Sequence, residues 1–153
     1  KKKKIKKVYK YIKKHCVDYY VTYRDEEYID THNIRQSVLN SMNECIIKIK
    51  TRPDYVLIDG CDFVNKTDDP DLKYTCIEGG DNWYVSIAAA SILAKVERDM
   101  YVEELCEKYP ELEERYGIAS NKGYGTKKHI DGIKNNGITQ FHRKSYGICK
   151  QYV

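Results

Sequence analysis

The spacing of hydrophobic residues changes several times along the chain, and each change predicts a different element. An amphipathic helix, docked by its apolar face and lined with lysines outside, is predicted first, from Ile5, Val8, Tyr9 and Ile12. The pattern then switches to alternation over Cys16–Tyr23, which predicts a half-buried strand with one apolar face, formed by Val17, Tyr19, Val21 and Tyr23.

A second helix and a buried strand follow. Asp30 and Thr31 are predicted to cap a helix that ends before Pro53 and packs on a sheet, because apolar residues recur at every fourth position: Ile34, Val38, Met42 and Ile46. The continuous apolar run 55–58 is typical of a central strand, and it ends abruptly at Asp59 and Gly60.

The second half of the chain predicts one more strand and two helices. Residues 73–77 are predicted to form the strand, and a turn at 78–81 leads into a long helix from about Trp83 past Leu105, slim enough to pack closely on a sheet. After a loop with Pro110 and Gly117, Thr126 is predicted to cap a last helix that stops near Gly137. Helices that alternate with strands predict an α/β layered fold.

Composition narrows the class of protein. The 153 residues, 41% hydrophobic and 33% charged, fit one globular domain, and no apolar run approaches the roughly 20 residues that span a bilayer. Six cysteines without a CxxC pair are unlike a disulfide framework or a zinc ribbon, so we interpret them as reduced thiols. We therefore expect an intracellular, cytoplasmic protein without membrane contact, and a nuclear location is also compatible.

Charge is distributed unevenly. Residues 1–14 carry nine lysines and no acid, and residues 121–153 carry seven lysines and arginines against Asp131 alone, so the middle of the chain is acidic. Two basic ends around an acidic centre indicate a polyanionic partner on one surface and a metal or acid/base site elsewhere. The alternative is that the basic residues form solvated faces.

Two aspartates are candidates for metal binding. Asp59 follows the carboxyl end of an apolar strand and Asp81 precedes the small-residue helix, and the carboxyl edge of an α/β sheet is where ligands bind. Two carboxylates held there would repel each other unless a hard cation such as Mg²⁺ compensated them. Alternatively, Asp59 begins a turn and Asp81 caps a helix, with no metal involved.

A basic and aromatic turn is the second candidate site. Tyr124 lies between two glycines and could stack on a sugar or base, while Lys122 could meet a phosphate. The tyrosine could equally be a packing residue. Residues 142–144, His-Arg-Lys, could bind phosphate or form a solvated tail, and His15, His32 and His129 lack metal-ligand spacing.

These segments resemble one known family. In order and spacing, residues 55–60 (YVLIDG), 79–81 (GGD), 86–99 (SIAAASILAKVERD), 122–126 (KGYGT) and 142–147 (HRKSYG) are similar to type 2 ribonuclease H, the ribonuclease HII family. The similarity spans nearly all of the chain and is weakest before Asp54. Residues 80–99 are its most specific part.

The resemblance implies a ribonuclease H-like fold, a mixed sheet flanked by helices with a C-terminal helical region. It implies cleavage of the RNA strand of RNA/DNA hybrids and nicking at ribonucleotides embedded in duplex DNA, with Mg²⁺ or Mn²⁺ as cofactor and two-metal catalysis. Asp59 and Asp81 match the third and fourth of the family's four active-centre acids, Tyr124 matches its junction-sensing tyrosine, and Lys122 is assigned to substrate binding. We expect one catalytic domain over 1–153, with a core to about residue 109 and a substrate-contacting region from about 110.

One departure from the family bears on activity. The Asp-Glu-x-Gly-Arg-Gly motif of the family's first strand, which carries the first two acids, has no counterpart in the 153 residues, which begin with Lys1. We therefore expect an N-terminally incomplete catalytic domain that is inactive alone and has no obligate protein partner. Two alternatives are a catalytically silent nucleic-acid-binding remnant and an interaction subunit whose partner supplies the absent strand.

Overall fold

The computed structural model describes residues 2–153, and helices dominate it. The helices are α1 (Lys2–His15), α2 (Glu26–His32), α3 (Ile34–Lys48), α4 (Val85–Lys108), α5 (Glu111–Tyr116), α6 (Ile118–Asn121) and α7 (Lys127–Asn136). The strands are β1 (Val56–Asp59) and β2 (Tyr74–Ile77), and short 3-10 helices span Gly80–Asn82 and Gly147–Tyr152. The predicted α/β fold is confirmed.

The sheet of the described residues is small. β1 and β2 pair in parallel, with Val56 opposite Tyr74 and Asp59 opposite Ile77. Since both strands run in one direction, their carboxyl ends share one edge, and this edge carries Asp59. Within residues 2–153 the sheet is thus narrower than the mixed sheet implied by the resemblance.

The chain divides into two compact units. The first unit comprises residues up to Tyr23 together with Arg35–Glu97, and the second comprises Arg24–Ile34 and Arg98–Val153. The long helix α4 contributes to both. The predicted organisation as one catalytic domain, with a substrate-contacting region from about residue 110, stays a prediction.

Two hydrophobic clusters hold the first unit together. α3 packs on the sheet through Leu39, which is buried with Ile58 of β1, Phe63 and Leu72. α1 packs on the first part of α4 through Tyr9, Leu93 and Val96. The predictions that the first helix docks by its apolar face and that the next long helix covers the sheet are both confirmed.

The second unit has its own core. α5 and α7 pack against each other and against the second part of α4, and the buried residues of this core are Val102, Cys106, Leu112, Tyr116, Ile133 and Cys149. Thr126 caps α7, since its side chain accepts a hydrogen bond from the His129 N–H, and Gly137 ends the helix. Both ends of α7 were therefore predicted correctly.

Three sequence-based predictions of secondary structure are wrong. Residues 16–23 form no strand, because no described segment pairs with them; Tyr19 and Val21 join the α1–α4 cluster while Val17 is exposed. Asp30 and Thr31 lie inside α2, where Asp25 is the cap. The loop expected around Gly117 instead contains the short helices α5 and α6, which flank that glycine in its left-handed conformation.

No helix in the described part of the chain combines the length and the apolar character needed to cross a membrane.

Candidate active site

A hydrogen bond attaches Asp59 to the turn after β2, and this turn carries Asp81, the second aspartate predicted to bind metal. Asp59 ends β1, and its Oδ1 accepts a hydrogen bond from the Gly80 N–H at 3.0 Å. The Gly60 N–H donates to the Ile77 carbonyl at 3.0 Å, so the chain beyond Asp59 stays attached to the end of β2. Asp81 follows Gly80 directly. The structure therefore brings Asp59 and Asp81 to the same edge of the sheet.

The close approach at Gly80 depends on the absence of a side chain. Gly80 is buried, and a Cβ built on it would lie 2.5 Å from Cδ1 of Ile87 and 3.4 Å from Cβ of Ile77. Contacts below 3.0 Å force neighbouring atoms to move. Glycine at this position lets the turn lie close to β2 and α4, where its N–H reaches Asp59.

Both carboxylates are exposed. Among the residues that the structure describes, no lysine or arginine forms an ion pair with Asp59 or Asp81. Among the described residues, Oδ1 of Asp81 accepts one hydrogen bond, at 3.3 Å from the side chain of Asn82. Each aspartate thus keeps oxygen atoms available for a ligand.

The donor chemistry of this pair fits a hard divalent cation. Carboxylate oxygens are the ligands that Mg²⁺ and Mn²⁺ prefer, and Mg²⁺ characteristically binds through one or two carboxylates and keeps several waters. No group of three or more histidine, cysteine, aspartate or glutamate side chains within residues 2–153 could hold a metal ion. By their donor chemistry, Asp59 and Asp81 can supply two of the ligands of a metal site.

The alternative in which Asp59 begins a turn and Asp81 caps a helix, with no metal involved, agrees with the structure only for Asp59. Asp81 does not cap a helix: the cap of the 3-10 helix is Gly79, in the left-handed conformation at φ 63°, and α4 begins four residues beyond Asp81. Asp59 does fix a turn, through Gly80. One of its oxygens is used in this way, which leaves the other without a protein hydrogen bond among the described residues.

Tyr124 is presented on a tight turn of the second unit. Tyr124 is 68% exposed, and the Arg98 guanidinium lies 5.8 Å from its ring centroid. The turn passes through Lys122 at φ 56° and Gly123 at φ 79°. Such a left-handed pair reverses the chain sharply, which leaves the aromatic face open to a flat ligand.

Lys122 lies beneath the turn and is ion-paired. Its side chain is 9% exposed, and its ammonium lies 2.9 Å from Oε1 of Glu103 and 3.4 Å from the Asp99 carbonyl. The Lys122 carbonyl accepts a 2.8 Å hydrogen bond from Arg98. In this geometry the Lys122 ammonium holds the turn on α4, and a phosphate contact by Lys122 stays a prediction.

The basic segment 142–144 is anchored rather than a free tail. Asp30 of α2 accepts hydrogen bonds from the N–H groups of Lys144 at 2.7 Å and Ser145 at 2.9 Å, and from the Ser145 hydroxyl. Burial opposes ionisation of this carboxyl, but the hydrogen bonds from Ser145 and Lys144 outweigh it, so the pKa of Asp30 lies below its ordinary value. The interpretation as a solvated tail is therefore wrong.

Sequence reasoning missed the residues that support these turns. Arg98 and Glu103 lie on α4, and Asp30 was interpreted as a helix cap. Their partners are distant in sequence, and Asp30 and Lys144 are 114 positions apart. A local signal existed only for α2, since Asp25 followed by two acidic residues predicts a helix start.

Comparison with known proteins gives the family. A model of the ribonuclease HII family matches residues 1–149. The chain belongs to the ribonuclease HII family. It is 40% identical over 142 residues to the ribonuclease HII of Oceanobacillus iheyensis, covering 93% of this chain and 51% of that protein. The ribonuclease HII of Parabacteroides distasonis is 43% identical over 125 residues, covering 82% and 59%.

A solved structure confirms the fold of this ribonuclease HII family member. The ribonuclease H2 of Pyrococcus horikoshii OT3 superposes with a TM-score of 0.78 at 20% identity, covering 97% of this chain and 74% of that one. The chain spans about half to two thirds of the length of the curated relatives it matches, from 51% to 66%. The family and the α/β fold inferred from the sequence motifs are therefore confirmed.

Proposed function

We propose that this chain contributes carboxylate ligands and a substrate-reading turn to an endoribonuclease acting on RNA/DNA hybrids and on ribonucleotides embedded in duplex DNA. The observation that carries the proposal is the coupling of Asp59 to Gly80, which sets two exposed, unpaired aspartates at the carboxyl edge of a parallel sheet. Membership of the ribonuclease HII family supports the same reaction.

Asp59 and Asp81 would hold a divalent cation, Mg²⁺ or Mn²⁺. When bound, such an ion supplies Lewis-acid stabilisation of charge on the scissile phosphodiester. The chain's own contribution is to fix the Asp59 carboxylate through the Gly80 N–H, while Asp81 forms no ion pair with any described residue. This arrangement keeps the ligands in place before metal binds, which lowers the cost of organising the site.

Two of the four acids that the family resemblance assigns to the active centre have no counterpart in residues 1–153. The family resemblance assigns four acids to the active centre, and Asp59 and Asp81 account for two of them. We propose that cleavage also needs the two acids of the Asp-Glu-x-Gly-Arg-Gly motif, which is absent from residues 1–153. The inactivity of residues 1–153 alone stays a prediction, tested by assaying that chain beside the product of the complete coding sequence.

Tyr124 would read the substrate by its exposed ring. An aromatic face packs on a sugar or a base without distinguishing sequence, and the 2′-hydroxyl is the group that separates RNA from DNA. Tyr124 is 68% exposed, and the backbone of its turn is hydrogen-bonded to Arg98 of α4 through the Lys122 carbonyl. We therefore assign Tyr124 to recognition of the junction between ribonucleotide and deoxyribonucleotide.

The substitution Asp59→Asn tests the metal-ligand role in the protein expressed from its complete coding sequence. Asparagine keeps an oxygen that can accept from the Gly80 N–H but removes the charge, so the turn should persist. We expect cleavage of an RNA/DNA hybrid in Mg²⁺ to fall at least ~100-fold, with the Kd for the hybrid within roughly threefold of the parent value. Cleavage is measured by single-turnover kinetics and Kd by fluorescence anisotropy.

Asp68→Asn is the matched control, since Asp68 is an exposed loop aspartate of the same unit. It should leave both quantities unchanged. An equal loss of cleavage and binding in Asp59→Asn would contradict the metal-ligand role. If the parent protein binds the hybrid tightly but shows no metal-dependent cleavage, the proposal of an enzyme is wrong, and the alternative of a catalytically silent nucleic-acid-binding module is favoured.

A further inference from the structure

Two buried histidines face each other beneath the turn that carries Tyr124. His129 of α7 is 8% exposed and His142 is 6% exposed, and their Nε2 atoms lie 3.1 Å apart. The Tyr116 ring packs on both imidazoles, with centroids 6.3 and 5.0 Å away. A nitrogen–nitrogen contact of this length requires one donor and one acceptor, so at least one Nε2 atom carries no proton.

The partners of the outer nitrogens fix the direction of the hydrogen bonds. A backbone N–H can only donate, and that of Thr139 lies 3.1 Å from Nδ1 of His142, so this nitrogen is an acceptor. Burial and the neighbouring His129 lower the pKa of His142 to about 4, so this ring is neutral at neutral pH and carries its proton on Nε2.

His129 must then accept at Nε2 and donate at Nδ1. Its Nδ1 atom lies 3.0 Å from the Tyr124 carbonyl oxygen, which can only accept. The assignment is consistent at every step: the Thr139 N–H donates to His142, His142 donates to His129, and His129 donates to Tyr124. The reverse direction would place a carbonyl oxygen against an unprotonated nitrogen.

The chain of hydrogen bonds ends on the backbone of the exposed tyrosine. The Tyr124 carbonyl accepts from His129 and, at 2.8 Å, from the Thr126 N–H, while the Tyr124 N–H donates to the Asn121 carbonyl at 3.0 Å. Both polar backbone groups of Tyr124 are thus held from inside the second unit. The ring itself has only the 5.8 Å contact with Arg98 among the described contacts.

We propose that His129 and His142 are positioning residues for Tyr124, through a directed hydrogen-bond relay from Thr139 to the Tyr124 carbonyl that fixes where the tyrosine ring is presented. The inference rests on the proposed role of Tyr124 in junction recognition. The relay does not touch substrate, and its effect is to keep the exposed ring in one place before substrate arrives, which reduces the ordering cost of binding.

Two substitutions at His129 separate the two ends of the relay. The side-chain amide of asparagine can occupy the position of Nδ1, so His129→Asn keeps a donor for the Tyr124 carbonyl and loses the contact with His142. The amide of glutamine reaches the position of Nε2, so His129→Gln keeps a partner for His142 and loses the donor to Tyr124. Each variant removes one hydrogen bond of the relay, so their stabilities should be similar.

The readout is the ratio of kcat/KM for a duplex with one ribonucleotide to kcat/KM for a long hybrid, in the protein from its complete coding sequence. We expect His129→Gln to lower this ratio about tenfold, because the loss of one buried hydrogen bond has an effect of that size. Its ratio should then be close to that of Tyr124→Ala. His129→Asn should stay within roughly threefold of the parent ratio. Equal ratios in the two variants would overturn the proposal.

Nitrogen-15 NMR of labelled histidine tests the relay without an activity assay. We expect His129 protonated on Nδ1 and His142 on Nε2 at neutral pH, and either opposite tautomer would overturn the relay. If Tyr124→Ala leaves the substrate ratio unchanged, the proposed role of Tyr124 fails. The relay is then decided by the carbonyl carbon shift of Tyr124, which should change in His129→Gln and stay near the parent value in His129→Asn.

Discussion

Several side chains of this protein hold backbone groups of turns in place. Asp59 holds the Gly80 N–H, Asp30 holds the 144–145 segment, and His129 holds the Tyr124 carbonyl. Such contacts place functional groups precisely because each ends on a backbone atom, which has less freedom than a side chain. The sequence motifs named Asp59 and Tyr124, whereas the supporting contacts of Asp30 and His129 became visible only in the structure.

Burial of His142 makes a prediction about stability and pH. Its pKa in the folded protein is about 4, below its ordinary value of 6.5, so the unfolded chain binds this proton at a higher pH than the folded chain does. The free energy of unfolding should therefore fall as the pH drops from about 6.5 to about 4, by about 3 kcal/mol from this group. Urea unfolding at several pH values measures the change.

His142→Asn is the comparison variant for this measurement. It removes the titrating ring, while an asparagine oxygen can still accept from the Thr139 N–H. Carboxylates titrate in both proteins, so their contribution cancels in the difference between the two curves. Parallel curves between pH 7 and pH 4 would show that His142 does not titrate as described.

Whole elements were predicted well where a hydrophobic pattern coincided with local end signals. Thr126 and Gly137 bracket α7, and the long helix predicted from about Trp83 past Leu105 is α4, Val85–Lys108. The pattern misled at residues 16–23, where alternation is present but no strand of the described chain pairs with it. A strand is a property of two segments, whereas a helix makes its hydrogen bonds within one.

The packing of α7 on α5 predicts the effect of a single methyl group. A Cβ on Gly132 would clash with the Arg115 carbonyl oxygen and lie 2.9 Å from Cδ1 of Tyr116. Gly132→Ala should therefore destabilise the protein by roughly 1–3 kcal/mol, although alanine is the better helix former by about 1 kcal/mol. Urea unfolding monitored by circular dichroism gives the value.

Gly125→Ala is the matched control, because a Cβ there meets nothing within 4 Å. Its effect should stay within about 0.5 kcal/mol. If Gly132→Ala were neutral or stabilising, helix propensity would outweigh the contact between α5 and α7, and the close approach of these helices would be wrong.

Over the whole molecule, some basic side chains are exposed to solvent and others are buried in ion pairs. α1 turns Tyr9 inward and carries exposed lysines at positions 7, 10 and 14, whereas Lys122 is buried against Glu103. Exposed lysines can release counterions from a nucleic-acid backbone, and an internally paired lysine cannot do so without breaking its pair. The net charge of +4 does not reveal this difference.

We expect the triple variant Lys7→Gln, Lys10→Gln, Lys14→Gln to reduce the salt dependence of hybrid binding. If all three lysines meet phosphates, the slope of log K against log salt should become less steep by about 2 to 3, at roughly 0.7–0.9 for each contact. Lys122→Met removes one positive charge of the second unit. It should leave the slope unchanged if Lys122 stays paired with Glu103 in the complex, whereas the phosphate contact predicted from the sequence would make the slope less steep by roughly 0.7–0.9. Fluorescence anisotropy at several salt concentrations measures the slope for both variants. A larger change of slope in Lys122→Met than in the triple variant would contradict the assignment of the phosphate contacts to α1.

The sequence determined the features that depend on local order along the chain. The apolar run before Asp59, the glycines before Asp81 and the residues from 86 to 99 were enough to predict the strands, the long helix and the family, because each feature is continuous. The two aspartates and Tyr124 were named on the same basis. Amino-acid order specifies a local conformation and a motif directly.

The tertiary structure alone decided which groups are free and which are held. Lys122 and His142 look alike in the sequence as candidates for phosphate binding, and the structure shows Lys122 paired with Glu103 and His142 in contact with His129. Both outcomes depend on partners 13 to 19 positions away, which a helix and a turn bring together. Burial and pairing are set by three-dimensional packing, and for this reason the support beneath Tyr124 could not be predicted from residue order.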